Sequence, residues 1–478
     1  MSALEIVLGL LVVVAALATV ARRLAVPAPI LMLLGGIAVG FVPGLPAIEL
    51  DPSIVFLVFL PPLLYVAAVF APLRDYRANA GAIGLLAIGL VIVTAAAVAA
   101  VARLLIPTLG WAQAFALGAI VAPPDAVAAT SILQRIGVPR RVVTILEGEN
   151  LLNDATALVT YRLALAAAAS GGFSAGDAVV SFIFVAVGGV AVGLAIGALA
   201  ALIRLRLRDT PVSITVSILT PFAAYLAAER LGVSGVLATV TVGLYIGRRI
   251  SGLSSEDRIA GSAVWQTINF VLNGLLFTLV GLQLPAIIRG LGDVRPGEAV
   301  GLAAAIALVV IVVRFLWVFP AAYLPRWLVG AFGPNAPRPP PQVITVVAWS
   351  GLRGAVSLAA ALALPLEFPA RDLLIFITFC VIAVTLVGQG LTLPMLARRL
   401  GVVSTQDADH EEAHARAAIA EAALASMPEL RSRWAGHLEL IDAERQAARE
   451  MHARAAISDD VLRRLERDLD LAELRAGV

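Results

Sequence analysis

Thirteen apolar stretches, most of them near twenty residues long, fill the first 400 residues of this 478-residue chain. They run roughly 3–21, 28–42, 53–71, 79–103, 111–134, 142–169, 176–203, 211–229, 233–248, 260–288, 298–325, 342–365 and 371–397. About 20 apolar residues in a helix cross the hydrocarbon core of a bilayer. Inside lipid every backbone polar group must be satisfied within the protein, and segments of this length achieve that as helices. Hydrophobic residues make up 60% of the chain, well above the share in soluble domains. The expectation is an all-α polytopic membrane protein with about thirteen transmembrane helices.

The arginines orient it. Alternate loops carry Arg22/Arg23, Arg74/Arg77, Arg135/Arg140/Arg141, Arg204/Arg206/Arg208, Arg248/Arg249/Arg258 and Arg326/Arg338, fifteen in all, against five (Arg103, Arg230, Arg289, Arg295, Arg371) in the loops between. Positive charge stays in the cytoplasm. An odd number of crossings then puts the N-terminus outside and the tail beyond Arg398-Arg399 inside. Glu5 precedes the first stretch and Arg22-Arg23 follow it, the reverse of a signal peptide, so that helix is expected to be retained. Composition changes near residue 400. We read 1–400 as the transmembrane domain and 401–478 as a cytoplasmic helical tail, rich in Ala, Glu, Asp and Arg, with apolar positions such as Val461, Leu462, Leu465 and Leu469 at helical spacing. The tail reads as a solvated or dimer-packing appendage.

Several chemistries are excluded by residue type. All 35 basic residues are arginine, so nothing here depends on a buried lysine. Cys380 is the single cysteine and rules out an internal disulfide. The four histidines (His410, His414, His437, His452) all lie beyond residue 400, leaving none in the membrane part for a metal or a proton relay. His410-Glu411-Glu412-Ala413-His414 fits the zinc-protease pattern HExxH. It stands in a charged tail without a third ligand nearby, and we read it as a solvated helix. A net charge of +2 and the absence of a nucleotide-binding glycine motif give no sign of nucleic acid or a cofactor.

Polar residues inside the sixth stretch carry the chemistry. Glu149-Asn150-Leu151-Leu152-Asn153-Asp154 sits among Val, Leu, Ile, Ala and Thr. A charge at bilayer depth costs at least about 2.5–3.5 kcal/mol and marks a functional site by default. On a helix Asn150 and Asp154 share one face, and Glu149 and Asn153 a neighbouring one. Carboxylate and amide oxygens suit a small alkali cation, and a buried carboxylate also takes a proton. One site that holds either, but not both, is a minimal exchanger. The bland reading is a polar network that only joins helices.

Two further stretches are interrupted. Pro123-Pro124-Asp125 stops the fifth helix by removing two backbone donors. Unwound backbone at that depth is tolerated where it lines a cavity in the protein, and broken helices with a carboxylate at midplane build cation sites in transporters. Asp125 either ligates the ion or neutralises a half-helix end. Trp349-Ser350-Gly351-Leu352-Arg353-Gly354-Ala355-Val356-Ser357 interrupts the twelfth stretch. Arg353 needs a carboxylate, and Glu149 is the candidate. Gly351 and Gly354 permit an unwound chain or a close approach. The two interruptions fall in matching places if stretches 4–6 and 11–13 are inverted repeats. Glu229, Asn269, Asn273, Gln283 and Arg314 read as hydrogen-bond partners between helices.

With these motifs in order, the chain resembles the NhaP/NHE family of monovalent cation–proton antiporters over about residues 1–400. Glu147-Gly148-Glu149-Asn150-Leu151-Leu152-Asn153-Asp154-Ala155 resembles the family's G-E-S-x-x-N-D signature. Pro124-Asp125-Ala126-Val127-Ala128 resembles T-D-P-V-A, Gly351-Leu352-Arg353-Gly354-Ala355 resembles G-L-R-G-A, and Phe59-Leu60-Pro61-Pro62-Leu63-Leu64 resembles F-L-P-P-L-L. The resemblance implies an NhaA-like antiporter fold with inverted repeats and discontinuous helices. It implies a homodimer whose core domain carries the site across the membrane, and no cofactor beyond the transported Na⁺ and H⁺. Asp154 would bind the cation (Na⁺) and the proton, with Asn153 beside it, and Glu149 and Arg353 would form a buried ion pair. Three positions depart: Asn150 replaces the signature Ser, Pro124 the Thr, and Val66 a Glu found in many members.

The function expected is exchange of Na⁺ (or Li⁺) for H⁺ across the plasma membrane by alternating access, electroneutral because one carboxylate carries one cation or one proton. Asp154, Asn153, Asn150 and Asp125 are the candidate ion-site residues. K⁺/H⁺ antiport on the same fold is the alternative, followed by a cation channel. An enzyme is not expected: Asp125 and Asp154 as an aspartyl pair would leave Asn153 and Arg353 without a role.

Overall fold

The computed structural model describes residues 3–24, 26–43, 50–170, 175–207, 209–292, 294–323, 339–403, 407–426, 437–454 and 456–475. Arg208, Arg326 and Arg338, which helped to orient the chain, lie outside the described residues, as do the end of the eleventh stretch and part of the tail. Among the described residues every regular element is helical. Eight helical runs are long and apolar enough to cross a membrane, from Leu4–Leu24 to Arg371–Arg399, and Ala28–Gly40, Trp111–Val121 and Gly235–Gly247 are shorter apolar helices. The helix Arg140–Ser170 has the length, 31 residues, but carries too many charges to be recognised by composition. The twelfth stretch is two short helices, Pro341–Trp349 and Ala355–Leu362. Length and hydropathy alone therefore support eight crossings; a count of thirteen also needs Arg140–Ser170, the short Ala28–Gly40 and Gly235–Gly247, and each broken pair taken as one.

Helix ends follow local chemistry. Ala3–Leu24 has Glu5 in its first turn and Arg22 and Arg23 in its last, each opposing the charge of that helix end. Asp209, Ser234 and Ser254 cap Thr210–Arg230, Gly235–Gly247 and Ser255–Leu282 by accepting from a backbone N–H two or three residues into the helix. Pro61 and Pro62 lack donors, and the turn before them, Val55–Phe59, widens to π geometry.

Two main apolar cores hold the membrane part, bridged by a third in which Leu60, Leu64, Tyr225 and Val236 meet Leu151 and Ala155 of Arg140–Ser170. One apolar core joins the two broken pairs to Arg140–Ser170, Val91–Leu105, Pro296–Tyr323 and Arg371–Ala383, and includes Leu117, Ile132, Leu146, Val310, Leu358 and Ile377. The other lies among Leu60–Val69, Ala175–Arg206, Thr210–Arg230 and Gly235–Gly247, where Tyr65 and the indole of Trp265 both bond Ser217, at 3.2 and 3.0 Å. Ala28–Gly40 and Ser255–Leu282 touch backbone to backbone. A methyl on Gly36 would meet the Thr278 carbonyl, and one on Gly281 the Leu33 carbonyl, the small-residue contact that membrane helices use.

The tail contributes Asp407–Ser426, His437–Ala453 and Asp459–Arg475 around a small core of Ala415, Ile419, Ala448, Ile457, Val461 and Leu465. Within the HExxH sequence, Glu412 accepts from Arg416 and Arg464, both at 2.8 Å. The tail docks on the membrane part. Asp470 pairs with Arg258, Glu473 accepts from Ser255 at 2.6 Å, Arg74 donates to the His452 carbonyl at 2.6 Å, and Arg463 donates to the Phe70 carbonyl at 2.5 Å. The short helix it grips, Leu73–Ala78, reaches Arg140–Ser170, since Asp75 pairs with Arg140 at 3.2 Å and Asn79, just past its end, accepts from Arg141 at 3.0 Å.

Candidate functional site

The two interruptions cross. Residues 122–125 separate Trp111–Val121 from Ala126–Ile136, and residues 350–354 separate Pro341–Trp349 from Ala355–Leu362. The Asp125 N–H donates to the Leu352 carbonyl at 2.6 Å, and Arg353 donates to the Ala122 carbonyl. Each unwound strand thus satisfies backbone groups that the other's loss of helix left open, as non-helical chain at this depth requires. Gly354 makes the approach possible, because a Cβ there would land on the Asp125 carboxylate; a Cβ on Gly351 would land on the Arg314 side chain.

Asp125 caps Ala126–Ile136, its carboxylate accepting from Val127 N–H at 2.9 Å. Of the two roles open to it in the sequence, the geometry displays the cap. Pro123 lines the cavity described below, and the Pro124 carbonyl accepts from the Asn153 carboxamide at 2.7 Å. Asn153 is fully buried. It ties the site helix Arg140–Ser170 to the first crossing strand.

The expected Glu149–Arg353 pair is not what forms. Glu149 is held by Arg314, whose guanidinium donates to its two oxygens at 2.6 and 2.8 Å, and both side chains are 1% exposed. Arg314 projects from the middle of Pro296–Tyr323 into the core, facing the site helix, and also donates to the Val347 carbonyl at 3.3 Å. Arg353, equally buried, points instead at the end of Trp111–Val121, where the helix dipole and open carbonyls take the place of a carboxylate. The sequence did carry a signal for Arg314: it is the one charge inside an otherwise apolar crossing, and such a residue needs an acidic partner. Of the other polar positions, Glu229 is held by both bonds of Arg162 at 2.9 Å, and Gln283 accepts from Leu50 N–H at 3.2 Å. Asn273 bonds Asn269 within one helix rather than between helices.

Asp154 has a different environment. It is 7% exposed. Among the described residues no side chain or backbone N–H donates to it and no arginine pairs with it. It borders a small, partly open cavity of about 10 Å³, the threshold for holding one water. The rest of the lining comes from Trp111–Val121, the site helix and Ala355–Leu362, and is apolar apart from Tyr161 and Ser357. Asn150 is half-buried and does not line it. The only full charge on the cavity wall is therefore a carboxylate without a fixed counter-ion, placed where the two broken helices meet. Such a carboxylate holds a proton or a small cation.

Residues 9–399 match the family model described as sodium/hydrogen exchanger, transmembrane. A Mycobacterium tuberculosis protein named as an uncharacterized Na(+)/H(+) exchanger is 36% identical over 444 residues, covering 88% of this chain and 80% of its own. A sodium, potassium, lithium and rubidium/H(+) antiporter of Bacillus subtilis is 35% identical over 389 residues, covering 78% of this chain and 58% of its own. Among solved structures, the sodium proton antiporter MjNhaP1 of Methanocaldococcus jannaschii shares the fold with a TM-score of 0.61 at 19% identity, over 83% of this chain and 99% of that one.

Proposed function

The chain belongs to the sodium/hydrogen exchanger family, and from that premise we propose that it exchanges Na⁺ for H⁺ across the membrane with Asp154 as the carboxylate both ions share. The observation that carries this is the isolation of Asp154: a buried carboxylate, without donor or counter-ion among the described residues, on the wall of a small cavity. An ionised, empty site is costly to carry through a membrane, whereas one filled by a cation or a proton is neutral. Competition between the two then couples their movements in opposite directions. Glu149 is paired with Arg314 and Asp125 caps a helix, so Asp154 is the carboxylate of this cluster without a fixed partner among the described residues. That supports one cation for one proton and no net charge moved. Li⁺ is small and hard enough to use the same oxygens. The arginine distribution supports an outer N-terminus and a cytoplasmic tail in the plasma membrane, and the family resemblance supports a homodimer that works by alternating access.

A second reading, K⁺/H⁺ exchange, is favoured by one observation. The Bacillus subtilis relative is named for sodium, potassium, lithium and rubidium together, and Asn150, Pro124 and Val66 here supply no hydroxyl or carboxylate at the three departing positions.

The test is isotopic Na⁺ uptake into proteoliposomes under an imposed pH gradient, for wild type and Asp154→Asn, with and without a K⁺/valinomycin clamp. Uptake lost in the variant and insensitive to the clamp is expected. Uptake surviving in Asp154→Asn would place the site elsewhere, and uptake of K⁺ in preference to Na⁺ would favour the second reading.

A further inference from the structure

The Tyr161 hydroxyl is buried without a hydrogen-bond partner, in a residue 6% exposed. Buried hydroxyls are almost always bonded, and one that is not asks for a ligand or a water. Tyr161 lines the same cavity as Asp154. The two stand seven residues apart on one helix, with Ala157 and Leu158 between them on the same face and the same wall. Helical side chains lean toward the helix N-terminus, so the Tyr161 ring extends over the turn that leads back to Asp154. Across the cavity stands Ser357, 2% exposed, in the first turn of Ala355–Leu362. Among the described residues, Asp154, Tyr161 and Ser357 are the only lining residues with a polar side chain.

We propose that the Tyr161 and Ser357 hydroxyls are further oxygen ligands of the transported cation, bound directly or through its last water, and that they help to set which cation is taken. The proposal rests on the reading that Asp154 carries the cation. An alkali ion that sheds water in so small a space needs hard oxygens to replace it. One carboxylate supplies at most two, and the remaining lining offers no side-chain oxygen. Tyr161 lies on the side of Asp154 away from the tail, toward the Ser170 end of the helix.

Tyr161→Phe and Ser357→Ala remove the oxygens and keep the packing; Ser357→Thr keeps the hydroxyl. Each is reconstituted at full length, and Na⁺, Li⁺ and K⁺ uptake is measured against ion concentration beside wild type and Asp154→Asn. A lost bond to a charged group predicts a rise of about tenfold in the apparent KM for Na⁺, with kcat changed by less than about twofold. The Na⁺/K⁺ preference shifts, Ser357→Thr behaves as wild type, and the thermal midpoints are unchanged. KM and preference unchanged in both Tyr161→Phe and Ser357→Ala, with Asp154→Asn inactive, would overturn the proposal and leave Asp154 standing. Exchange retained by Asp154→Asn would overturn the site reading and this proposal with it. If Tyr161→Phe does not fold, the Ser357→Ala and Ser357→Thr pair decides.

Discussion

Arg314 donates two parallel hydrogen bonds to Glu149, at 2.6 and 2.8 Å, joining two helices through residues 165 apart in sequence. With its contact to the Val347 carbonyl, it fastens the site helix, Pro296–Tyr323 and the second broken pair together. Asp154 lies five residues further along that site helix, a little over one turn. A rigid mount for one carboxylate is thus made from a second carboxylate held by an arginine.

Breaking a buried pair by removing one partner leaves a naked charge, and costs about 3–5 kcal/mol. Glu149→Ala and Arg314→Ala should each lower the thermal midpoint of the purified protein strongly. Glu149→Leu with Arg314→Met, which removes both charges and keeps the volume, should recover most of the loss. A double variant as unstable as the sum of the singles would mean that the two residues act independently.

Gly354→Ala tests the crossing of the broken helices. The added methyl would occupy the place of the Asp125 carboxylate, which in turn caps Ala126–Ile136. Exchange should fall by more than an order of magnitude, since a displacement of about 1 Å in a constellation of this kind costs roughly a hundredfold. Gly261→Ala is the control. It lies in the helix Ser255–Leu282 with nothing within 4 Å of the new methyl. It should gain about 0.5–1 kcal/mol in stability and leave exchange alone. Equal effects of the two changes would remove the argument from close approach.

Much of this site was legible in the sequence because ionisable residues in apolar surroundings are rare and must be used. Asp154, Asn153, Asp125, the proline break and the glycines about Arg353 were all visible for that reason, and so was the all-helical class. Pairing was not legible. Arg314 and Arg353 are both buried arginines, and only the three-dimensional crossing decides which one meets Glu149 and which one faces the open carbonyls of a half-helix. Tyr161 was silent for the opposite reason, and Ser357 was visible only as the last residue of the Arg353 motif, since hydroxyls are cheap enough in helices to carry no signal of their own until a cavity brings them beside a carboxylate. The tail's helices could be read from their spacing. Its docking could not, because charged surface residues have many possible partners.

Arg162 and Glu229 join the site helix to Thr210–Arg230 through two bonds at 2.9 Å. Their side chains are 49% and 30% exposed. At that exposure the pair is worth at most about 1 kcal/mol, so Arg162→Gln should barely move the thermal midpoint. A cycle in which the site helix moves against that second body must release the pair each time. Turnover should therefore rise in Arg162→Gln at low ionic strength, and the difference should shrink when added salt screens the wild-type pair. Unchanged turnover at every salt concentration would mean that the two helices do not move apart there.

The tail's grip on the membrane part should fail in acid, and well below the pH at which an exchanger works. Burial pushes the Glu473 carboxyl up, but Ser255 and the guanidinium groups of Arg445 and Arg258 outweigh it and hold the group below its ordinary value. A carboxylate depressed in the folded state stabilises docking fully above its ordinary value, and that contribution is lost as pH falls through the depressed one. Hydrogen exchange in Asp459–Arg475, corrected for intrinsic rates, should show constant protection from about pH 8 to about pH 5 and a loss below about pH 4. Glu473→Gln removes the charge and should lower protection already at neutral pH, more so in low salt where wild-type pairing is strongest. Because this contact titrates in acid, it cannot place a midpoint near neutrality in the pH profile of exchange. Glu473→Gln should loosen the tail and leave that midpoint where it is, and a midpoint that moves with Glu473 would assign the tail a part in sensing pH that its carboxylates alone do not give it.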